Sequence, residues 1–471
     1  MKKFINVLAV MLALVMCLGI VVACASDYEQ GSGDATTTTA ANTTKPPVTT
    51  TKAPDTTTAE VTTTADPDAG RVKEPTVDVP ADGMITTAAQ LHAVLVKGDV
   101  TANYTVNADK LDMSAFAWTG IVGYTGIFDF GNCTIENAVD SLFVSVLGGT
   151  VKNLKLANAT YYYGNDEAGE DINPKTNAAG NLYYSPVVRY ATDITIQNVV
   201  IESTVKVQSE IWSKDSCHGG VIGGVEGSNI IIEDCQFKGE YTTDSTCVRV
   251  GGVVGMLNCS AATSLSIEAP EDSAARIVNC ANYGTVTNLG FGEDSKSGAV
   301  VGYMSNAAAI KLANYGTMNS NDSGQTGGVV AYVGGSTYIK NCINVGDVTG
   351  ASYTGGITGY SNGDNRYFEN CINLGKITSG GVNVGGIVGV NKKTEKYTNC
   401  FNLTTATAEF GFNTVSNTQI NPADPTTAGN TVITNCGNLD TVDAIFTAMD
   451  TANAGVFQKT AEGSIILAPA Q

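Results

Sequence analysis

The sequence predicts an all-β protein: a right-handed parallel β-helix of roughly ten coils, with short capping helices and a disordered N-terminal stalk. Three observations predict it. A Gly-Gly-aliphatic-aliphatic-Gly element recurs at Gly219 to Gly223, Gly251 to Gly255, Gly355 to Gly359 and Gly385 to Gly389. A second element, Asn-Cys-x-Asn-x-Gly, recurs at Asn279 to Gly284, Asn341 to Gly346 and Asn370 to Gly375, and in degenerate form from Lys311, Asn399 and Asn435. The two alternate, and the copies beginning at Asn341 and Asn370 stand 29 residues apart.

Each unit holds three short strand candidates, such as Ile339 to Cys342, Asp347 to Thr349 and Gly356 to Tyr360, separated by Gly, Asn, Ser and Asp. Nothing between them has helical length or period. One unit cannot bury its apolar face alone; stacking units at about 4.8 Å buries Ile on Ile and Cys on Cys. Propeller blades need about 40 to 50 residues, so units of this size favour the solenoid.

Composition agrees with that reading. Gly supplies 52 of 471 residues and charged residues only 15%, too few for the charged outer faces of helical bundles. The net charge of -19 repels a phosphate backbone and argues against nucleic-acid binding. Two histidines leave little material for His-based catalysis or zinc sites. No Gly-rich loop carries the Lys-Ser/Thr of a phosphate cradle, so no cofactor is expected. Ser361 to Asn365 lacks the ligand pattern of a calcium loop and reads as a turn.

Four regions follow. Residues 1–23 have the positive start and apolar run of a signal peptide, with Lys2 and Lys3 before Phe4 to Val22. Residues 24–75 are Cys24 and a Thr-rich linker with too few large apolar side chains to offset ordering entropy. Residues 76–440 are the β-helix. Residues 441–471 are a C-terminal capping segment, its helical pattern at 441–450 expected to close one end. At the other end, Thr86 or Thr87 is placed to N-cap a helix from Ala88 to Val96, with His92 capping it or facing solvent.

Equivalent repeat positions read as structure. Asn282, Asn314, Asn344, Asn373, Asn402 and Asn438 are expected to form an internal amide ladder. Cys280, Cys342, Cys371, Cys400 and Cys436 are expected as a row of unpaired buried thiols. Cys217, Cys235, Cys247 and Cys259 match no zinc spacing, and their disulfide state stays open. No metal site is expected.

Candidate ligand-binding residues lie where the repeat is interrupted. Tyr161, Tyr162 and Tyr163 precede Asp166, Glu167, Glu170 and Asp171; Tyr183, Tyr184 and Trp212 follow. Aromatic faces beside carboxylates suit sugars. The plainer reading is a solvated acidic loop and aromatics packed into the solenoid wall.

Val21-Val22-Ala23-Cys24 resembles the lipobox of bacterial lipoproteins. That resemblance implies a mature chain beginning at a lipidated Cys24, attached to the membrane through that lipid, on the extracellular face of the bacterial cytoplasmic membrane or cell surface. The segments Trp118-Thr119-Gly120-Ile121-Val122-Gly123, Phe128-Asp129-Phe130-Gly131-Asn132-Cys133-Thr134-Ile135, Leu142-Phe143 and Val151-Lys152-Asn153-Leu154 resemble GLUG-type repeat proteins of bacterial surfaces over about residues 84 to 440. Gly120 and Cys133 depart from that pattern, as does Ser141. Some proteins with such repeats cleave immunoglobulin A as metallopeptidases. This chain lacks His-Glu-x-x-His, for Ala93 follows His92 and Gly219 follows His218. The preferred reading is a lipid-anchored, non-catalytic surface protein presenting a β-helix for adhesion to, or binding of, glycans or proteins. The alternative is an extracellular carbohydrate-active enzyme, a polysaccharide lyase or hydrolase on the same scaffold.

Overall fold

In a computed structural model, residues 68–468 are described with internal gaps, the longest at 165–181, 209–215, 414–417, 423–430 and 451–454. Residues 1–67, with the signal, Cys24 and nearly all of the Thr-rich linker, lie outside the described residues, as do Asp166, Glu167, Glu170, Asp171, Trp212 and Cys247.

The chain winds into a parallel β-helix. One coil contains Ala308–Ile310, Ala313–Asn314, Thr317–Ser320, Gln325–Gly327 and Val330–Gly334. The first three strands enter a 25-stranded array, the fourth a seven-stranded sheet and the fifth a ten-stranded sheet. The first-strand column runs from Met84–Ile85 to Val432–Thr434 through eleven successive parallel pairings, giving twelve rungs. Alternation along each strand builds the core. In-register Ile277, Ala309, Ile339, Phe368 and Tyr397 point inward and are buried, while their neighbours face out.

The turn after this first strand requires a left-handed residue. Asn153, Asn198, Asp234, Asn279, Lys311, Asn341, Asn370, Asn399 and Asn435 occupy it in successive coils, with φ between 50° and 59°. Asn tolerates this conformation better than other side chains bearing a Cβ. Its amides also link coils: Asn370 donates to Asn341 at 3.0 Å, Asn399 to Asn370 at 3.0 Å and Asn435 to Asn399 at 2.7 Å. This outer ladder, carried by the first Asn of Asn-Cys-x-Asn-x-Gly, lies beside the inner one expected from the sequence.

The inner ladder is continuous. Amide donations run Asn282 to Asn314, Asn314 to Asn344 and Asn344 to Asn373 at 2.8 Å each, Asn373 to Asn402 at 2.9 Å and Asn402 to Asn438 at 3.1 Å. Cys235, Cys280, Cys342, Cys371 and Cys400 are buried thiols, and Cys436 is a half-buried one. Burial pushes the Cys280 and Cys371 thiols well above their usual pKa.

Helix α1, Ala88–Lys97, begins at Thr87, whose Oγ accepts from the Gln90 amide at 3.3 Å, and it sends Leu91 and Val94 into the core. His92 does not face solvent. It is fully buried, with Nε2 2.9 Å from the Ala117 carbonyl and its ring stacked on Phe116. Helix α2, Val442–Asp450, and the hairpin Phe457–Lys459 with Ile465–Leu467 lie along the side of the solenoid, where an end cap was expected. Outward-facing Ala313, Ile343, Ile372 and Phe401 form an apolar stripe, one residue per coil, and Ile445, Met449, Phe457 and Ile465 bury it. The Leu467 amide donates to the Tyr315 hydroxyl at 2.9 Å.

Candidate functional site: a lateral groove of tyrosines and cations

The Gly-Gly-aliphatic-aliphatic-Gly element is the corner where the seven-stranded sheet passes into the ten-stranded one. Its last Gly lets two backbones approach. A Cβ on Gly255 would lie 2.4 Å from the Gly223 oxygen and 2.6 Å from the His218 nitrogen; on Gly302 it would lie 2.6 Å from the Gly255 oxygen. Two outward columns flank this corner, seven residues apart in each coil. On the seven-stranded sheet, Tyr183, Cys217, Arg249, Lys296, Gln325 and Tyr353 stand in register. On the ten-stranded sheet, the register is Tyr190, Gly224, Met256, Tyr303, Tyr332 and Tyr360.

The columns meet side chain to side chain. Tyr303 stacks on Tyr332 with centroids 5.2 Å apart and planes 11° apart, and Tyr332 on Tyr360 at 5.4 Å and 13°. Each of these rings carries a cation: the Arg249 guanidinium 5.2 Å from the Tyr303 centroid, the Lys296 ammonium 5.5 Å from that of Tyr332 and the Lys392 ammonium 5.3 Å from that of Tyr360. Tyr353 meets Tyr360 edge-on at 5.3 Å. Tyr303, Tyr332, Tyr353, Arg249 and Lys296 are half-buried, and Lys392 is exposed.

The rings cover one another's faces, one ring per coil, with Tyr303 and Tyr332 half-buried and Tyr360 buried. Burial pushes the Tyr332 and Tyr360 hydroxyls up to about 12, so both stay protonated donors at neutral pH. A polar row lies two residues further along the same strands. Its Asn362 amide donates to the Tyr332 hydroxyl at 3.4 Å, and its Glu226 carboxylate accepts from the Tyr190 hydroxyl at 3.0 Å.

The site residues expected from the sequence are not brought together. Tyr161, Tyr163 and Tyr184 are buried in the main core, so the expectation that they offer sugar-stacking faces is corrected. The strand Thr150–Gly164 runs straight through the tyrosine cluster, and period-two alternation turns Tyr161 and Tyr163 inward while Tyr162 is exposed. Tyr183 is the exception in position: it heads the groove, but Tyr190, Cys217 and Met256 pack around it and it too is buried. Sequence reasoning missed the groove itself. The available signal was the residue on each side of the Gly-Gly corner, with Tyr after the element in three successive coils. Among the described residues, no cluster of three or more His, Cys, Asp or Glu is placed to hold a metal ion.

No family model matches the chain, and no curated protein sequence matches it. Among solved structures, it is similar to a Bacteroides ovatus protein provisionally described as an immunoglobulin A1 protease, with a TM-score of 0.38 and 14% identity over 82% of this chain and 92% of that one. At that distance, what defines the chain is its own geometry: a parallel β-helix protein with a lateral groove.

Proposed function

We propose that the chain is a lipid-anchored extracellular surface protein, non-catalytic, whose β-helix binds an extended glycan along this groove. The observation that carries the reading is the Tyr303, Tyr332, Tyr360 ladder with its flanking polar row. A surface that repeats one phenol per coil matches a polymer that repeats one sugar per step, and phenols beside amides both donate to and accept from sugar hydroxyls. Glycosidic hydrolysis uses two carboxylates flanking the scissile bond. Among the described residues, the Glu226 carboxylate of the polar row is already engaged by the Tyr190 hydroxyl, and we take the groove as a binding surface. The anchor rests on Val21-Val22-Ala23-Cys24, and the Thr-rich residues after it would hold the solenoid off the membrane.

The test is a screen of the full chain against neutral and acidic polysaccharides, read for retention and for bond cleavage. Binding that Tyr332→Ala abolishes supports the groove; cleavage of any retained polymer overturns the non-catalytic reading. For the anchor, membrane attachment that persists after Cys24→Ala would count against lipidation.

A further inference from the structure

The apolar stripe beside the C-terminal segment changes character along its length. Ala281, Ala313, Ile343, Ile372 and Phe401 stand in register on the broad array. Two residues further on in each coil come Tyr283, Tyr315, Val345, Leu374 and Leu403. Three coils thus pair two bulky apolar residues, in one cluster with Ile445 and Met449 of α2. The other two read Ala-Asn-Tyr, at Ala281 to Tyr283 and Ala313 to Tyr315. There a methyl stands where the neighbouring coils fill the space with a larger side chain.

That space is a hollow of about 450 Å³, lined by the two alanines, both tyrosines and, from the C-terminal hairpin, Ile466 and Leu467. The Leu467 amide donates to the Tyr315 hydroxyl at 2.9 Å, which fixes the hairpin there, and Tyr315 stacks on Tyr283 with centroids 5.0 Å apart. Small-molecule sites share this size and this mainly apolar lining, with a few polar groups to orient the ligand.

The polar groups are Gln236 and Lys311, which also line the hollow. Gln236 is the register partner of Ala281. Lys311, at φ 54°, holds the left-handed turn position that Asn279 and Asn341 hold in the coils on either side. Among the described residues, neither side chain makes a hydrogen bond or an ion pair. Glu271 lies within electrostatic reach of Lys311, but its carboxylate is paired with Lys340 at 3.0 Å. Asn279, also at the hollow, is engaged with Asp234 at 2.5 Å.

We infer that the hollow is a second ligand site, for a small organic carboxylate. The ligand's ring or hydrocarbon body lies on the two alanines beside the tyrosines, and Lys311 and Gln236 take its carboxylate. One point charge beside a neutral amide suits a singly charged acid better than a doubly charged phosphate. The site also gives the strained lysine a purpose, since Asn would ease the backbone and forfeit the charge. It lies apart from the tyrosine ladder and does not depend on the glycan reading.

The experiment titrates the full chain, by calorimetry, with phenylacetate and indole-3-acetate, with their neutral amides, and with acetate. At least one aromatic acid binds with a Kd of about 1 mM or below, about tenfold more tightly than its amide. Acetate, with no body to bury, does not bind. Lys311→Asn lowers the affinity for the acid to that for the amide while the thermal midpoint holds or rises, which separates lost charge from unfolding. Lys311→Arg retains binding. Ala281→Ile, which gives this coil the residue found at Ile343 and Ile372, fills the hollow and abolishes binding. Equal binding of acid and amide overturns the inference, as does acid binding that survives both Lys311→Asn and Ala281→Ile. Saturation by none of the probes up to about 10 mM overturns it as well.

Discussion

Asn344 donates its side-chain amide to Asn373, one coil further on, at 2.8 Å, and accepts the amide of Asn314 at the same distance. All three side chains are fully buried. Each amide is therefore at once the donor and the acceptor of its neighbours, and each interior rung depends on the next.

Removing one rung orphans two groups. Asn344→Ala leaves the Asn314 amide without its acceptor and the Asn373 oxygen without its donor, in an interior where each unmade hydrogen bond costs about 1–3 kcal/mol. A loss of about 3 kcal/mol is expected, read as a lower urea midpoint with little change in the slope of the transition. Asn435→Ala, at the exposed end of the outer ladder, should cost less, about 1–2 kcal/mol, most of it the strain of placing Ala in the left-handed region rather than the lost hydrogen bond.

The glycine of Asn-x-Gly is constrained by its neighbour one coil back. A Cβ on Gly346 would lie 1.6 Å from the Gly316 carbonyl oxygen, a backbone atom that cannot swing aside, whereas on Gly380 the nearest atom would be 3.6 Å away. Gly346→Ala should cost about 3 kcal/mol or more by forcing coils apart, and Gly380→Ala should fall within about 0.5 kcal/mol of the parent. Chemical denaturation of the two single variants checks the contrast.

His218 makes the fold acid-sensitive. It is fully buried against Tyr184, and burial depresses its pKa from 6.5 to about 3. Between those values the unfolded chain binds a proton that the folded chain refuses. This stabilising contribution is therefore complete above pH 6.5 and is lost as pH falls toward 3, at up to about 1.4 kcal/mol per pH unit. His218→Gln removes the titrating group. Urea midpoints for parent and variant, measured from pH 7 to pH 4, should converge as the pH drops, and parallel curves would contradict the assignment.

What was legible in the sequence is what the repeat enforces in every coil. The inner Asn ladder and the thiol row could be placed because identical side chains recur at one register, and α1 because Thr87 marks its start. The groove was harder to see, since the residue before the Gly-Gly corner changes from Arg249 to Lys296 to Gln325 to Tyr353. At that corner the chain also moves from one sheet to another, so alternation cannot be counted through it: Thr326 is buried, yet Gln325 and Tyr332 belong to the outward columns. The tyrosines at 161–163 misled for a related reason. They resembled the rim of an inserted loop, but their strand continues through all three. The C-terminal segment shows helical period in the sequence, yet its lateral position depends on a stripe formed by residues from four different coils.

Lys311 marks the one interior turn from Asn279 to Asn435 where the left-handed residue is not Asn. Its φ is 54°, and it stands between Asn279 and Asn341. A lysine there bears the steric cost of the left-handed region, about 1–2 kcal/mol, which Asn partly avoids through its short polar side chain. Its ammonium also cannot serve as the acceptor that an amide would offer the neighbouring coil. Lys311→Asn should therefore stabilise the solenoid by about 1 kcal/mol and extend the outer ladder from Asn435 back to Asn279. Lys311→Gly should relieve the strain without adding the ladder contacts, and so gain less or lose through its own chain entropy. The measurement is the thermal midpoint of the three proteins. The order Asn above Lys, with Gly below Asn, supports the outer ladder as a stabilising device; Gly equal to or above Asn would reduce it to a purely conformational preference.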